Sequence, residues 1–344
     1  MEFKLHKDFS ELDPAAWNTL VEQSIADTPF SRHEYLSGWW QTRGGGEWKD
    51  ARLVLISARE DDQLVGIAPL FIDEHDGRQA LLLVGSIEIS DYLDLIVRED
   101  DVPQFLSGLI DFLDSSLPFD AAQGKPDAWP AIDWYNIPDA SPTLAALKAE
   151  SAKRGWTLRE EVYRPTPRIP LNGSFDDYLM NLDKKQRHEL RRKMRRAAES
   201  GRVHFYVVDK DTDIEPELES FFDLMVQDPN KAEFLHDVMR EQMANTIRAA
   251  HANGYLWLAF LEVDGVKAAA TLCFDYGNKL WGYNSGVSFD FKDISPGWVI
   301  MGHDIQWCCE NGRTEFDFMR GDEEYKYRLG GEDRFVMRAR TIKN

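Results

Sequence analysis

Two stretches of this chain form a weak internal repeat. Asp62-Gln63-Leu64-Val65-Gly66-Ile67-Ala68-Pro69-Leu70 resembles Asp264-Gly265-Val266-Lys267-Ala268-Ala269-Ala270-Thr271-Leu272, and each follows an apolar run. Turn residues set between apolar runs read as a hairpin and its return strand. Each stretch is followed by a further strand ending in small residues, Gly85-Ser86 and Ser285-Gly286. One such match is what any hairpin would give, but the order of elements around it repeats as well. The chain therefore reads as a duplicated α/β domain. Its 344 residues also exceed the size at which a single hydrophobic core stops growing. Arg164-Pro165-Thr166-Pro167 separates the copies, because its prolines lack N–H groups and push the residues before them toward extended backbone. The expected domains are residues 1–165 and 166–344.

In the first half, a helix is expected over residues 10–25, with Ser10 as its cap and Pro14 in its first turn, and a second over 32–41. Strands follow at Arg52–Ala58, Gln63–Ile72, Ala80–Val84 and Tyr92–Val97. A helix over Pro103–Leu117, a loop over 118–130, a strand Ala131–Asn136, a helix Pro142–Arg154 and a strand Trp156–Tyr163 complete it. In the second half, Ser174 and Asp177 resemble a capping box before a short helix, and Asp183 caps a basic helix that ends at Gly201. A strand Val203–Val208 and helices over 215–227 and 231–253 come next. Tyr255–Val263, Val266–Phe274 and Lys279–Asn284 read as a meander, followed by a helix Pro296–Asn311 and strands Glu315–Met319 and Arg334–Thr341.

The net charge of −20, from 40 basic and 60 acidic residues, argues against general nucleic-acid binding. No apolar run is long enough to span a bilayer, and the start of the chain lacks the apolar core of a signal peptide. Cys273, Cys308 and Cys309 make neither a disulfide framework nor a zinc spacing, which points to a reducing cytoplasm. The histidines show no metal spacing either, so no metal is expected.

Three stretches stand out chemically. The first is a helix start, with Ser295 as N-cap, Pro296 at the first helical position, Gly297 leaving the second uncrowded, and Trp298 beginning an inward stripe. Free amides at Ser295–Trp298 would make an anion site, although an isolated Ser-Pro-Gly is more often only a well-made cap. The second runs from Asp317 to Gly331. Here Lys326 could stabilise an oxyanion, and Tyr327 or Asp322 could move a proton; the bland alternative is an exposed salt-bridged turn. The third is the basic helix: residues 184–196 hold eight Lys or Arg against one Glu, a local charge of +7. Its rows include Arg187 and Arg191 at helical spacing and invite a counter-anion, which is a donor phosphate, an anionic acceptor or the acidic remainder of the protein itself. In the first half, Asp91 and Asp94 bracket Tyr92-Leu93 and are candidates to receive an acceptor amine, against a plain turn cap.

The second half resembles the GNAT-fold acetyltransferases of the CelD-like, cellulose-biosynthesis-associated type, which are similar to the Fem peptidyltransferases. The residues that carry this are Lys185–Arg196 ending at Gly201, Ser295-Pro296-Gly297, and Asp317-Phe318-Met319-Arg320-Gly321-Asp322-Glu323-Glu324-Tyr325-Lys326-Tyr327-Arg328; Ser90–Asp94 and Ser141-Pro142-Thr143 add to it in the first half. The resemblance implies two tandem GNAT-like domains, each a mixed, mostly antiparallel sheet flanked by helices. It also implies acyl transfer from acetyl-CoA or another acyl-CoA to an amine of a small-molecule or sugar/nucleotide-linked acceptor. Within it, Tyr325–Gly331 is similar to the aromatic-Lys-x-x-Phe-Gly-Gly stretch of Fem proteins, which places Lys326 at the transfer site, with Leu329 in place of the aromatic. Arg187, Arg191, Asp91 and Arg320 are the candidate substrate contacts. The usual GNAT donor loop, Arg/Gln-x-x-Gly-x-Gly/Ala, is replaced by Lys292-Asp293-Ile294-Ser295-Pro296-Gly297. Two rivals remain: a Fem-like transferase using aminoacyl-tRNA, and a GNAT-fold binding protein without chemistry.

Overall fold

The computed structural model describes residues 1–116 and 129–343. Most of the expected loop over 118–130, and Leu117 before it, lie outside the described residues. The contacts divide the chain into two units, Met1–Pro165 with Phe335–Asn344, and Thr166–Arg334.

The first unit is built on strands β1 (Glu2–His6), β2 (Arg52–Glu60), β3 (Gln63–His75), β4 (Arg78–Leu83), β5 (Ile96–Val97), β6 (Ala131–Pro138) and β7 (Thr157–Pro165). The second holds β8 (Arg168–Pro170), β9 (Val203–Val207), β10 (Leu256–Val263), β11 (Val266–Tyr276), β12 (Lys279–Val287) and β13 (Glu315–Asp317). The last strand, β14 (Phe335–Ile342), returns to the first unit. The first sheet runs β1-β2-β3-β4-β6-β14-β7, with β5 on β3; the second runs β8-β13-β12-β11-β10-β9.

The strand expected at the end of the second domain is thus an inner strand of the first sheet, antiparallel to both β6 and β7. Its inward side chains suit that place. Val336 and Ala339 are fully buried, and Arg338 donates to both carboxylate oxygens of the buried Asp133 at 2.8 and 2.6 Å.

Local chemistry explains most elements and most departures. The first helix covers Pro14–Val21 rather than 10–25, because Asp13, not Ser10, accepts from the Ala16 amide. Ser174 and Asp177 form the expected reciprocal capping box. Asp61-Asp62 and Asp264-Gly265 both turn with positive φ, the paired left-handed geometry that matches hairpin twist. Only Ile96–Val97 of the expected strand Tyr92–Val97 pairs, since Asp94 upstream is fixed by side chains instead. It accepts from the Leu95 amide at 2.8 Å, the Thr143 hydroxyl at 2.6 Å and the Ser141 hydroxyl. The Ser90–Asp94 and Ser141–Thr143 stretches are therefore two sides of one structural joint. Burial pushes the Asp94 carboxyl up to about 6 against those three hydrogen bonds.

In the second unit the near-continuous apolar strand β10 is buried on both faces. One face packs under the helices Phe175–Asn181, Lys184–Glu199 and Pro296–Glu310; the other packs against Ile214–Met225 and Asp237–Ala252.

A chain ending at Arg334 should lose the cooperative melting transition of the first unit, because β6 and β7 are left without the strand between them. Hydrogen exchange of β6 amides in the truncated chain checks this. Retained protection there would contradict the topology.

Candidate active site

Strand β12 pairs with β13 in parallel over only three steps, Lys279–Trp281 with Glu315–Asp317. It then continues to Val287 beside β11 alone. The two strands stop sharing hydrogen bonds for two local reasons. On β12 the register with β11 skips at Tyr283, a bulge that turns the strand. On the other side, Asp317 accepts from the Met319 amide at 2.6 Å, and Met319 turns with φ 57°. Gly282 sits where they part, and a Cβ there would lie 3.3 Å from the Asp317 carbonyl oxygen.

Beside this opening is a cavity of about 220 Å³. Thr271 of β11, Ser285 and Val287 of β12, Gly297, Trp298, Ile300 and Met301 of the 296–310 helix, and Tyr325 and Leu329 of the region around the short helix Glu324–Arg328 line it.

The helix start is at the cavity, but not as the cap rule predicts. Ser295 stands at the N-cap in left-handed backbone (φ 59°) and makes no side-chain cap. Its own amide donates to the Phe291 carbonyl at 3.2 Å, and the Trp298 amide donates back to the Ser295 carbonyl at 3.0 Å. Pro296 has no N–H. Among the described residues none accepts from the Gly297 amide, so the expected four-residue amide cradle reduces to this one donor. Positive charge gathers around it instead. Lys193 and Arg328 lie over the Trp298 ring, at 4.3 and 4.7 Å from its centroid. Glu189 holds both, accepting from Lys193 at 3.0 Å and from Arg328 at 2.7 Å.

The other expected site residues are distributed differently. Lys326 is 2% exposed, and its ammonium donates to the carbonyls of Met319 (3.4 Å), Arg320 (2.6 Å) and Gly321 (3.3 Å) while pairing with Glu323 at 2.9 Å. It clamps the turn after β13, and its donors are spent there rather than at the cavity. Tyr327 is partly exposed and donates to Asp333 at 2.8 Å; its phenol is pushed up to about 12 by desolvation and that carboxylate. Asp322 is exposed and Arg320 half-buried, and neither lines the cavity. Arg187 donates to the Met180 carbonyl at 3.2 Å, and Arg191 to Asp176 at 3.0 Å. Asp91 belongs to the first unit.

Four residues at or next to the cavity were not singled out in the sequence. Tyr325 lines it while leaving 42% of its surface exposed, and desolvation first, then Glu323, hold its phenol above its ordinary range. Lys231, on the helix Pro229–Phe234, donates to the Ser285 carbonyl at 2.5 Å and to Asn284 at 3.0 Å, so it covers part of the open β12 edge. Burial lowers its ammonium from the ordinary lysine value. Thr271 is 2% exposed and lines the cavity, with its hydroxyl toward the Asp304 carboxyl. Asp304, 0% exposed, accepts from the Trp257 indole at 3.0 Å through Oδ1. Alternation on β11 signals Thr271 as an inward polar residue, and helical spacing puts Asp304 inside; their meeting is not readable from either.

The cysteines are free, and burial pushes the Cys273 and Cys308 thiols up, which makes them packing residues rather than nucleophiles. Among the described residues, His75, Asp76 and Asp133 lie as close as metal ligands would, but Arg338 already donates to both carboxylates.

Residues 184–327 match the family model described as an acetyltransferase (GNAT) domain. No curated protein sequence matches the chain. The solved structure of FemX is similar over 98% of this chain and 97% of that one, at 13% identity and a TM-score of 0.69. The C-terminal domain of a putative lysylphosphatidylglycerol synthetase from Agrobacterium fabrum is similar over 98% and 93%, at 14% identity and 0.60. A tandem GNAT protein from the clavulanic acid biosynthesis pathway is similar over 98% and 97%, at 11% identity and 0.50. At such identities the likeness is one of fold: two GNAT-like domains in tandem.

Burial pushes the Asp304 carboxyl up to about 7, opposed by Trp257 and Thr271. The folded chain then holds this proton more tightly than the unfolded one, so the group's cost to stability grows as pH rises from about 4 and is complete above about 7. Asp304→Asn should therefore melt higher than the parent at pH 8, by up to a few kcal/mol equivalent, and about level with it at pH 5. Equal melting differences at both pH values would show that the carboxyl is not buried as described.

Proposed function

We propose that the second unit transfers an acyl group from an acyl-CoA to an amine of an anionic acceptor. One observation carries this: a cavity beside the parting of β12 and β13, with the open Gly297 amide and the Lys193–Trp298–Arg328 stack on it. The amide and the two cations supply what a donor phosphate needs, a hydrogen bond and a positive field. The opening beside β12 admits a linear arm that ends in the thioester. The acceptor amine attacks the thioester carbonyl, a tetrahedral intermediate forms, and the C–S bond breaks. The thiolate takes a proton as it leaves, and the attacking nitrogen, neutral before attack, gives up one of its own, which restores the proton donor.

Tyr325 is the residue we assign to that proton, in place of Tyr327 or Asp322, because its ring lines the cavity and a phenol carries its proton at neutral pH. Lys326 is a positioning residue in this scheme, since it holds the turn that leads into the helix bearing Tyr325. Direct attack needs no covalent enzyme intermediate. No helix of the described residues is long and apolar enough to cross a membrane.

A second reading, transfer from aminoacyl-tRNA, is favoured by one feature. Among the described residues, Lys184, Lys185, Arg192 and Arg196 of the basic helix have no acidic partner, unlike Arg191, Lys193 and Arg195. That is a surface suited to a polyanion.

Calorimetric titration with acetyl-CoA and longer acyl-CoAs tests the donor. Saturable binding is expected. Gly297→Asp should remove it without lowering the melting point much, by setting a carboxylate at the donor amide, where even a Cβ lies 3.3 Å from Val287. Failure of every acyl-CoA to bind would overturn the coenzyme A reading; binding of aminoacylated RNA instead would move the assignment to the second. In a thiol-release assay with a working acceptor, Tyr325→Phe should lower kcat by roughly 10²–10⁴-fold while leaving donor binding intact. Unchanged turnover would remove Tyr325 from the mechanism.

A further inference from the structure

The cations around the cavity differ in one respect. Lys193 and Arg328, over Trp298, share the Glu189 carboxylate, and Lys326 pairs with Glu323 at 2.9 Å. Lys231 has no acid of its own. Its half-buried ammonium is held only by neutral oxygens: the Ser285 carbonyl at 2.5 Å, Asn284 Oδ1 at 3.0 Å and the Ser285 hydroxyl at 3.4 Å. Among the described residues no carboxylate forms an ion pair with it, and Asp228 and Glu323 act on it only from farther away. We propose that Lys231 and the Ser285 hydroxyl hold a carboxylate of the acyl acceptor. This deepens the transferase reading, and it rests on that reading only for the carboxylate's belonging to the acceptor.

The argument is one of charge and of hydrogen-bond count. Charges drawn out of water are ordinarily paired, and neutral oxygens satisfy the N–H groups of Lys231 without balancing its charge. The seat opens to a ligand through Ser285, which lines the cavity. An ammonium has three N–H groups. Two are well bound here; the third reaches the Ser285 hydroxyl at 3.4 Å, longer than an ordinary N–H···O bond. Lys231 is the only partner of that hydroxyl among the described residues. One carboxylate oxygen can therefore accept from the third N–H, and the other from the Ser285 hydroxyl once it turns. The charge fits a carboxylate better than a phosphate. A phosphate monoester carries about −1.5 to −2 at neutral pH, and the helix Pro229–Phe234 offers Glu233 but no second cation. Glu323 acts on the same ammonium and disfavours further negative charge there. Phosphate is provided for instead by the two cations over Trp298. The acceptor is then an amino carboxylate, whose neutral amine attacks the thioester while its carboxylate stays on Lys231.

The test uses the full chain with sodium butanoate, against butanamide and inorganic phosphate at equal ionic strength, by titration calorimetry and thermal melting. Butanoate should bind saturably and raise the melting point, with butanamide at least tenfold weaker. Lys231→Met should weaken butanoate binding at least tenfold, and Ser285→Ala at least threefold. Anions can also go to the Gly297 amide and the cations over Trp298, so the binding that Lys231→Met removes is what measures this seat. In protein carrying isotope-labelled lysine, butanoate should shift the Cε resonance that Lys231→Met lacks; a lysine that only covers the strand edge would not respond. If Lys231→Met fails to fold by circular dichroism, Ser285→Ala and that resonance decide the matter. No saturable butanoate binding, or binding that survives Lys231→Met, would overturn the proposal. Phosphate bound at Lys231 more tightly than butanoate would overturn the carboxylate assignment. No acyl donor is present, so the coenzyme A reading can fail while the carboxylate seat stands. Acyl-CoA binding without a butanoate seat would sink this proposal alone.

Discussion

The parting of β12 from β13 is the constraint on which the second unit's site depends. Parallel strands in one sheet normally share a full ladder, and here the ladder stops after three steps. An open strand edge is a liability, because its N–H and C=O groups await partners. The chain answers part of this from nearby elements: Lys231 donates to the Ser285 carbonyl, and Lys326 ties down the turn that leads away from β13. What remains open is a cavity whose walls come from both strands' neighbours and from the helix that crosses between them. The site is thus a consequence of topology, since a parallel pair requires a crossover, and the crossover helix delivers its N-terminus beside the open edge.

Charge is arranged around that opening in a way that the totals conceal. The chain carries −20 overall, yet Lys193, Arg328 and the basic helix concentrate positive charge on one side of the second unit. Glu189 pairs with both Lys193 and Arg328, which fixes their geometry over Trp298 while leaving the group with net positive charge. The acidic remainder, offered from the sequence as the plain counter-ion, is used only in part: Asp176 meets Arg191, but five of the helix's cations, Lys184, Lys185, Arg187, Arg192 and Arg196, have no acid beside them among the described residues.

Legibility in the sequence differed by kind of residue. Hairpin turns were readable because Asp61-Asp62, Asp264-Gly265 and Gly277-Asn278 state their backbone geometry locally. The helix after Ser295 was readable as an element, but its amides were not. Whether a first-turn N–H is free depends on where the preceding carbonyls point, and left-handed Ser295 turned its own carbonyl onto Trp298. Lys326 was readable as a conspicuous residue, but its contacts were not. A lysine in a polar stretch looks available until the chain folds three carbonyls around it. One helical step separates it from Tyr325, and that step carries the side chain from the cavity wall to the turn's interior.

By itself the sequence determined the strand and helix inventory of most of the chain, the repeated hairpins, the break at Pro165–Pro167 and the positive helix, because each of these is fixed by residues within a turn or two of one another. Only the tertiary structure decided that the final strand belongs between β6 and β7, that Thr271 and Asp304 meet, and that Tyr325 rather than Lys326 lines the cavity. Strand partners and burial of a given side chain are set by contacts between residues far apart in the chain, and local periodicity names a face without naming what will cover it.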